Sequence, residues 1–377
     1  MKKLLIAVLA FAGLASCTNT VEFESVQKQI GLSPITQNRT RAMVSGTAFP
    51  DEQFMVWAWY KQLPAGTTIA QWQAADATTY AQQDYISEQP FESKATTQNE
   101  KGKLWAGVTP YFWPKLGSLL FAGYYPASAA KYVDYEFTDA TNVMTIKDYS
   151  PTDALAPYES TGFVNTDVTN NHSEDLMYFK MTAASCNGGT LGSEVDGVND
   201  GNSVTNEPNV DVVFQHALAW IKVTLAKAEG TPDAATITVN SVSFTNVNSK
   251  GTGTVADNAD IAWVSSVPVE ILVWNNGEQE LGTTAIAVPK EPIIIPQEIG
   301  DNCELVINYT ITSKEGEGEK NSSFTETKTV KLAADTLVDS WEAGKCYTYA
   351  IAIGTSEILI DPIVTDWAKV EIPVEIK

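Results

Sequence analysis

The sequence predicts an all-β protein made of two tandem β-sandwich domains. Three observations carry that expectation. Runs rich in aromatic and β-branched residues recur at short intervals between Gly, Pro, Asn and Asp, as strands of a sandwich or barrel do and alternating β and α units do not. Several runs alternate apolar and polar residues with period two, which turns one strand face towards a core. Near the middle of the 377 residues, positions 185–209 are dominated by Gly, Asn, Ser and Asp, the composition of a domain boundary or long surface loop.

Taken in order, the chain opens with Lys2 and Lys3 and then an unbroken small-and-apolar run from Leu4 to Leu14. That run is shorter than the ~20 apolar residues of a membrane span and suits the apolar region of a signal peptide. It ends in Leu14-Ala15-Ser16-Cys17, similar to the lipobox of bacterial lipoproteins: a branched residue, two small ones, then a cysteine whose sulfur takes the lipid. Residues 1–16 are therefore expected to be a lipoprotein signal peptide and Cys17 the lipidation site. No later run is long and apolar enough to span a membrane, so a soluble body is expected beyond the lipid.

From Thr18 to Thr40 the chain is polar and weakly patterned. Val21 and Phe23 alternate with Glu22 and Glu24, and Ile30, Leu32 and Ile35 continue the pattern loosely. Such a segment is either a flexible tether or a removable first strand. Of the chain's 24 basic residues only Arg39 and Arg41 are arginines, and both lie at the end of this linker, just before the first convincing strand. Cleavable sites concentrate in exposed linkers. An arginine-specific protease would find its targets confined to this tether, with Arg41 the expected site and Arg39 the alternate.

The body starts after the turn signal Pro50-Asp51-Glu52 with the aromatic run Phe54 to Tyr60, in which Trp57 and Trp59 share a face opposite Ala58. One short helix fits within Ile69 to Tyr85. Strand-type runs follow around Trp105, Tyr111 to Pro114 and Leu119 to Pro126, and residues 127–175 suggest short strands on long loops. The second half restarts at Val210. Phe214, His216, Leu218 and Trp220 are expected on one face of a single strand reaching Leu225. Ile237 to Val247 repeats the period; Leu305, Ile307, Tyr309 and Ile311 form one apolar face, and Tyr347, Tyr349, Ile351 and Ile353 another. Val370, Ile372, Val374 and Ile376 alternate strictly near the end, and Pro373, which cannot donate to a ladder, marks an edge strand.

Composition excludes several roles. The formal charge of −22 argues against nucleic-acid partners, which need a basic surface. Apart from Cys17 the cysteines are Cys186, Cys303 and Cys346, with no metal-like spacing, so at most one disulfide forms and its pairing stays open. Of the two histidines, His172 and His216, the second lies on an apolar strand face, as a satisfied core histidine does. No catalytic or phosphate-binding motif occurs, and neither an enzyme activity nor a cofactor or metal is expected. The Asp196 to Asn202 loop offers oxygen atoms but lacks EF-hand spacing, which favours a solvated turn. Trp57, Trp59, Trp72, Trp105 and Trp113 cluster in the first half; exposed on one surface they would make a glycan-binding module, and buried they fill a sandwich core.

Trp105 with Tyr111-Phe-Trp-Pro114, Leu120-Phe-Ala-Gly-Tyr-Tyr-Pro126, Asp175-Leu-Met177 and Phe214-Gln-His-Ala-Leu218 resemble, in this order, the Bacteroidetes fimbrillin family in its minor-fimbrillin-like branch. So do Asn246-Val-Asn-Ser-Lys-Gly251, Ile294-Ile-Pro-Gln297, and Trp341-Glu-Ala-Gly-Lys-Cys-Tyr-Thr-Tyr349 with Asp366-Trp367. The resemblance implies a type V pilus subunit precursor with two transthyretin-like β-sandwich domains, here 42–209 and 210–377, behind a cleavable propeptide, 17–41. It implies a lipid-anchored precursor at the outer membrane and an Arg-specific protease that removes the first strand. It further implies a fimbrium outside the cell, joined to other fimbrial subunits by strand exchange and serving adhesion to host or bacterial surface ligands and biofilm formation. Val370 to Ile376 is then either the strand that this subunit donates or the last strand of its own C-terminal domain. The second case leaves nothing to donate before Lys377 and implies a place at the fimbrial tip.

Overall fold

The structure, a computed structural model, describes residues 29–36, 52–64, 67–99, 102–114, 116–138, 141–151, 175–187, 190–191, 198–199, 209–275, 279–288, 290–313, 322–335, 338–355 and 358–366. It is all-β apart from short helical turns.

In chain order the first half supplies β1 (Gly31–Thr36), β2 (Phe54–Lys61), the helix α1 (Ile69–Ala74), β3 (Gln83–Asn99), β4 (Gly102–Gly107) and β5 (Leu116–Tyr125). The hairpin β6 (Val133–Phe137) and β7 (Asn142–Tyr149) follows, then β8 (Met177–Asn187), β9 (Thr190–Leu191), β10 (Val198–Asn199) and β11 (Asn209–His216). A 9-stranded sheet runs β10-β11-β1-β4-β3-β2-β5-β8-β9, and a further pairing of β11 with β8 closes it into a ring. Closure removes sheet edges, which would otherwise template association.

The aromatic run of β2 explains itself here. Phe54, Val56 and Ala58 point into the ring, whereas Trp57 and Trp59 point out of it into a second apolar cluster. Both faces are covered, so the strand needs apolar residues at successive positions rather than in alternation. Outside the ring, Trp59 lies 5.0 Å from Tyr135 and 4.6 Å from Phe137, centroid to centroid, which seats the β6–β7 hairpin against it. The helix starts where Thr68 and Gln71 form a reciprocal capping box, and it buries Trp72 beside Phe137.

The second half supplies β12 (Ala219–Lys227), β13 (Ala235–Ala256), β14 (Ala262–Trp274), β15 (Gln279–Glu280), β16 (Ile286–Ala287), β17 (Ile293–Ile294) and β18 (Gln297–Glu298). Then come β19 (Glu304–Ser313), β20 (Ser322–Lys331), the helical turn α2 (Leu332–Asp335), β21 (Ser340–Trp341), β22 (Lys345–Ile353) and β23 (Ile358–Asp366). One sheet runs β16-β12-β22-β23, with β17 on β12; the other runs β20-β19-β13-β7-β6, with β14 and β15 on β13. Between them Ile221, Val223 and Leu225 of β12 meet Ile237, Val239 and Phe244 of β13. Tyr349 and Ile351 of β22 and Leu305 and Ile307 of β19 complete this two-sheet core, on the faces that their period-two spacing predicts. Ile311 is only partly buried at its margin.

Two features tie the halves together. The 22-residue β13 pairs with β19 in its first part and with β7 of the first half in its last part. Where it passes β14, any Cβ on Gly253 would sit 2.8 Å from Ile261 Cδ1 and 3.0 Å from the Trp263 ring. The second feature is the crossing from β11 to β12, and it corrects an expectation. Residues 210–225 are two strands, not one. Val210, Val212 and Phe214 face the ring interior, but in β12 the core face passes to Ala219, Ile221 and Val223, and Leu218 and Trp220 pack in the cluster outside the ring. The parity changes because the chain leaves one sheet at Ala217 and enters another. There Ala217 N–H donates to Leu176 O (2.8 Å), its carbonyl accepts from Trp263 Nε1 (2.7 Å), and Gly344 N–H donates to Leu218 O (2.9 Å).

Candidate functional site

The most informative site is the place occupied by β1. This strand lies between β11 and β4, parallel to the first over the register Gly31↔Asn209 to Thr36↔Phe214 and antiparallel to the second at Gly31↔Ala106 and Leu32↔Trp105. Ile30 N–H donates to Tyr111 O at 2.8 Å, and Gln29 bridges to Phe112. Ile30 and Leu32, two residues apart, turn their side chains into the ring and are both 0% exposed. They share its interior with Phe54, Trp105, Val210 and Val212. Phe54 is the hub, with ring centroids 5.3 Å from Trp105 and 5.2 Å from Phe214. The loosely patterned Ile30 and Leu32 are therefore anchors of a seated strand rather than parts of a slack tether.

The far ends of the expected mechanism lie elsewhere. Cys17, Arg39, Arg41, Val370, Ile372, Val374 and Ile376 fall outside the described residues, as do His172 and most of the Asp196 to Asn202 loop. Thr36 ends β1 with only Gln37 and Asn38 between it and Arg39. On the other side of the chain, β23 stands at the edge of its sheet and ends at Asp366.

The competing sites are accounted for by packing. His216 places Nδ1 2.9 Å from one oxygen of Asp175 and 3.2 Å from the other, both side chains being almost wholly buried. This is a satisfied histidine at the end of β11, as the apolar strand face predicts. Trp57, Trp59, Trp72, Trp105 and Trp113 are all buried, so they offer no ring platform to a sugar. Cys303 and Cys346 are buried in different cores and do not pair with each other, and burial, with Glu304 adding its charge, pushes the Cys303 thiol up to about 12. Among the described residues no cluster of three or more His, Cys, Asp or Glu is placed to hold a metal ion. Nor is any helix among them long and apolar enough to cross a membrane.

The sequence profile of the fimbrillin-like family matches residues 40–367. The chain belongs to that family. A fimbrial protein from Bacteroides vulgatus has the same fold, with a TM-score of 0.58 at 14% identity over 90% of this chain and 99% of that one. Two other solved structures align less closely, each with a TM-score of 0.36. The tip fimbrial protein Mfa3 from Porphyromonas gingivalis, with a C-terminal truncation, is 10% identical over 90% of this chain and 100% of that one. A fimbrial assembly protein from Parabacteroides distasonis is 12% identical over 91% and 96%. No curated protein is significantly similar to this fimbrillin-like chain. The family match begins between the two arginines, so β1 and its anchors Ile30 and Leu32 precede it.

Proposed function

We propose that this fimbrillin-like chain is a structural and adhesive subunit of a cell-surface fimbrium, assembled by strand exchange once an arginine-specific protease has cut after Arg41 or Arg39. One observation carries the reading: β1 is an integral strand of a closed ring, yet it stands directly upstream of the chain's two arginines. A cut there turns β1 from a covalent part of the fold into a separate peptide. Its departure leaves β4 and β11 as facing edges above an apolar trench, a template for a strand from a neighbouring subunit. Before the cut the resident strand keeps the ring closed and the precursor unable to polymerise during export.

Around this step stand the other parts of the proposal. The precursor is anchored in the outer membrane by a lipid on Cys17 and passes, once cut, into an extracellular fimbrium serving adhesion and biofilm formation. The two halves are tandem transthyretin-like sandwiches. The role is non-enzymatic, with surface ligands and sister subunits as partners. The tip is the favoured position, because Val370 to Ile376 follows closely on β23, which is the edge strand of its sheet among the described residues, and is best used as a further strand there, not as a donor.

Mass mapping of the N-terminus on cells tests the lipid and the cut together: an acylated Cys17 is expected in the precursor, and Ala42 or Thr40 as first residue in fibres. Arg39→Ala with Arg41→Ala should leave a folded, anchored monomer absent from fibres. Normal assembly of that double variant would refute strand removal as the trigger.

A further inference from the structure

We infer that β1 is an imperfect placeholder, and that its slot is shaped for an incoming strand that differs from it at the positions of Ser33 and Pro34. The inference rests on the strand-exchange reading and specifies the partner segment that reading requires. The strand fits its slot imperfectly in three ways. Ser33 is 3% exposed, and its Oγ has no hydrogen-bond partner among the described residues. A buried hydroxyl left unpaired is a standing penalty, which an apolar side chain of similar size would not incur. Next, Pro34 has no N–H to give to either neighbour, and prolines are normally kept out of strands paired on both sides.

The third defect follows the second. β1 pairs with β11 along all of Gly31 to Thr36, but with β4 only at Gly31 and Leu32. The antiparallel ladder stops where Ser33 and Pro34 would face Leu104 and Lys103. Gly102, Lys103 and Leu104 pair with β3 alone, so half of the β4 edge goes unused. Meanwhile Ile30 and Leu32 fill their places completely. The resident strand thus keeps the apolar anchors that hold the ring shut and lacks the part of the β4 ladder that would make it harder to replace.

The chemistry that fits better is an extended segment of another chain with large aliphatic side chains at the Ile30 and Leu32 positions. It carries a small apolar residue in place of Ser33 and any β-favouring residue with an N–H in place of Pro34. It lies antiparallel to β4 along Gly102–Gly107, so that exchange adds hydrogen bonds without changing the apolar anchors.

The test uses the full chain cut at the arginines, and two synthetic peptides covering residues 28–39, one native and one carrying Ser33→Ala and Pro34→Thr. Each peptide is fluorescently labelled, and its entry into the cut protein is followed by polarisation. The substituted peptide should bind at least tenfold more tightly. Equal or tighter binding of the native peptide overturns the placeholder inference and leaves strand exchange standing. If neither peptide enters the cut protein, strand exchange fails and the inference with it. In the uncut chain the same two substitutions should slow hydrogen exchange in the Gly102–Leu104 stretch of β4 at least tenfold; unchanged exchange there also overturns the inference.

Discussion

Leu32→Ala is the sharpest probe of whether β1 belongs to the fold. Leu32 is fully buried in the cluster that holds Phe54, Trp105 and Val212. Its truncation forfeits roughly 2 kcal/mol of transfer free energy, at ~0.8 kcal/mol per CH₂. The cavity left behind adds to this, and Leu→Ala changes in packed cores cost about 2–5 kcal/mol in all. The loss falls on the docking of one short strand, since only Ile30 shares its anchoring among the segment's described positions. At ~1.4 kcal/mol per decade, the undocked population should rise from about 30-fold to several thousandfold. Hydrogen exchange of the uncut chain reads this directly. Peptides covering β4 and β11 should lose protection, while β19 and β22, whose side chains fill the other core, keep theirs. Wild-type protection of β4 and β11 in the variant would mean that Leu32 does not hold the slot closed, and the reasoning from β1 to function would fall with it.

Two other outcomes follow from the packing. Gly123→Ala puts a Cβ 2.3 Å from Met55 O and 2.4 Å from Phe179 Cε1, in the middle of the ring wall. Overpacking of this kind costs about 1–3 kcal/mol or more, so the thermal midpoint should fall by several degrees, and an unchanged midpoint would refute so tight an approach of β2, β5 and β8. The buried acids set an alkaline limit. Burial raises the Cys303 thiol from 9.0 to about 12; it also raises Tyr178 from 10.0 to about 12, against the opposing hydrogen bond to Ile261 N–H. The folded state then keeps protons that the unfolded state has lost, so stability should fall as pH rises from about 9 to about 12. The last part of the tyrosinate absorbance, from buried tyrosines such as Tyr178, should accordingly appear together with loss of circular dichroism; full tyrosine ionisation in a still-folded chain would contradict it.

Legibility in the sequence followed the number of covered faces. Strands β19 and β22 have one face on the core, and their alternation named Leu305, Ile307, Tyr349 and Ile351 correctly. The aromatic run of β2 announced burial but not that Trp57 and Phe54 fill different clusters, because a strand covered on both faces carries no period. At the slot, Ile30 and Leu32 were visible as apolar positions in a polar stretch. Ser33 and Pro34 were not, since an unpaired hydroxyl and a missing N–H acquire meaning only from neighbours on β4 and β11, which lie far along the chain.

The stretch from Val210 to Leu225 shows most clearly where period-two reasoning ends. Alternation reports that a residue faces apolar surroundings; it does not report which sheet provides them. Phe214 and Trp220 share parity and are both buried, one inside the ring and one outside it. Between them only Ala217 and Leu218 break the ladder, and both are apolar, so no turn residue interrupts the pattern. What makes this crossing possible is partners brought by tertiary contact: Leu176 O for the Ala217 N–H, Trp263 Nε1 for its carbonyl, Gly344 N–H for Leu218 O. A backbone whose groups are met by distant segments needs neither Gly nor Pro to change sheets. The strand that walls the β1 slot therefore runs directly into the C-terminal core, and the sequence writes the two as one.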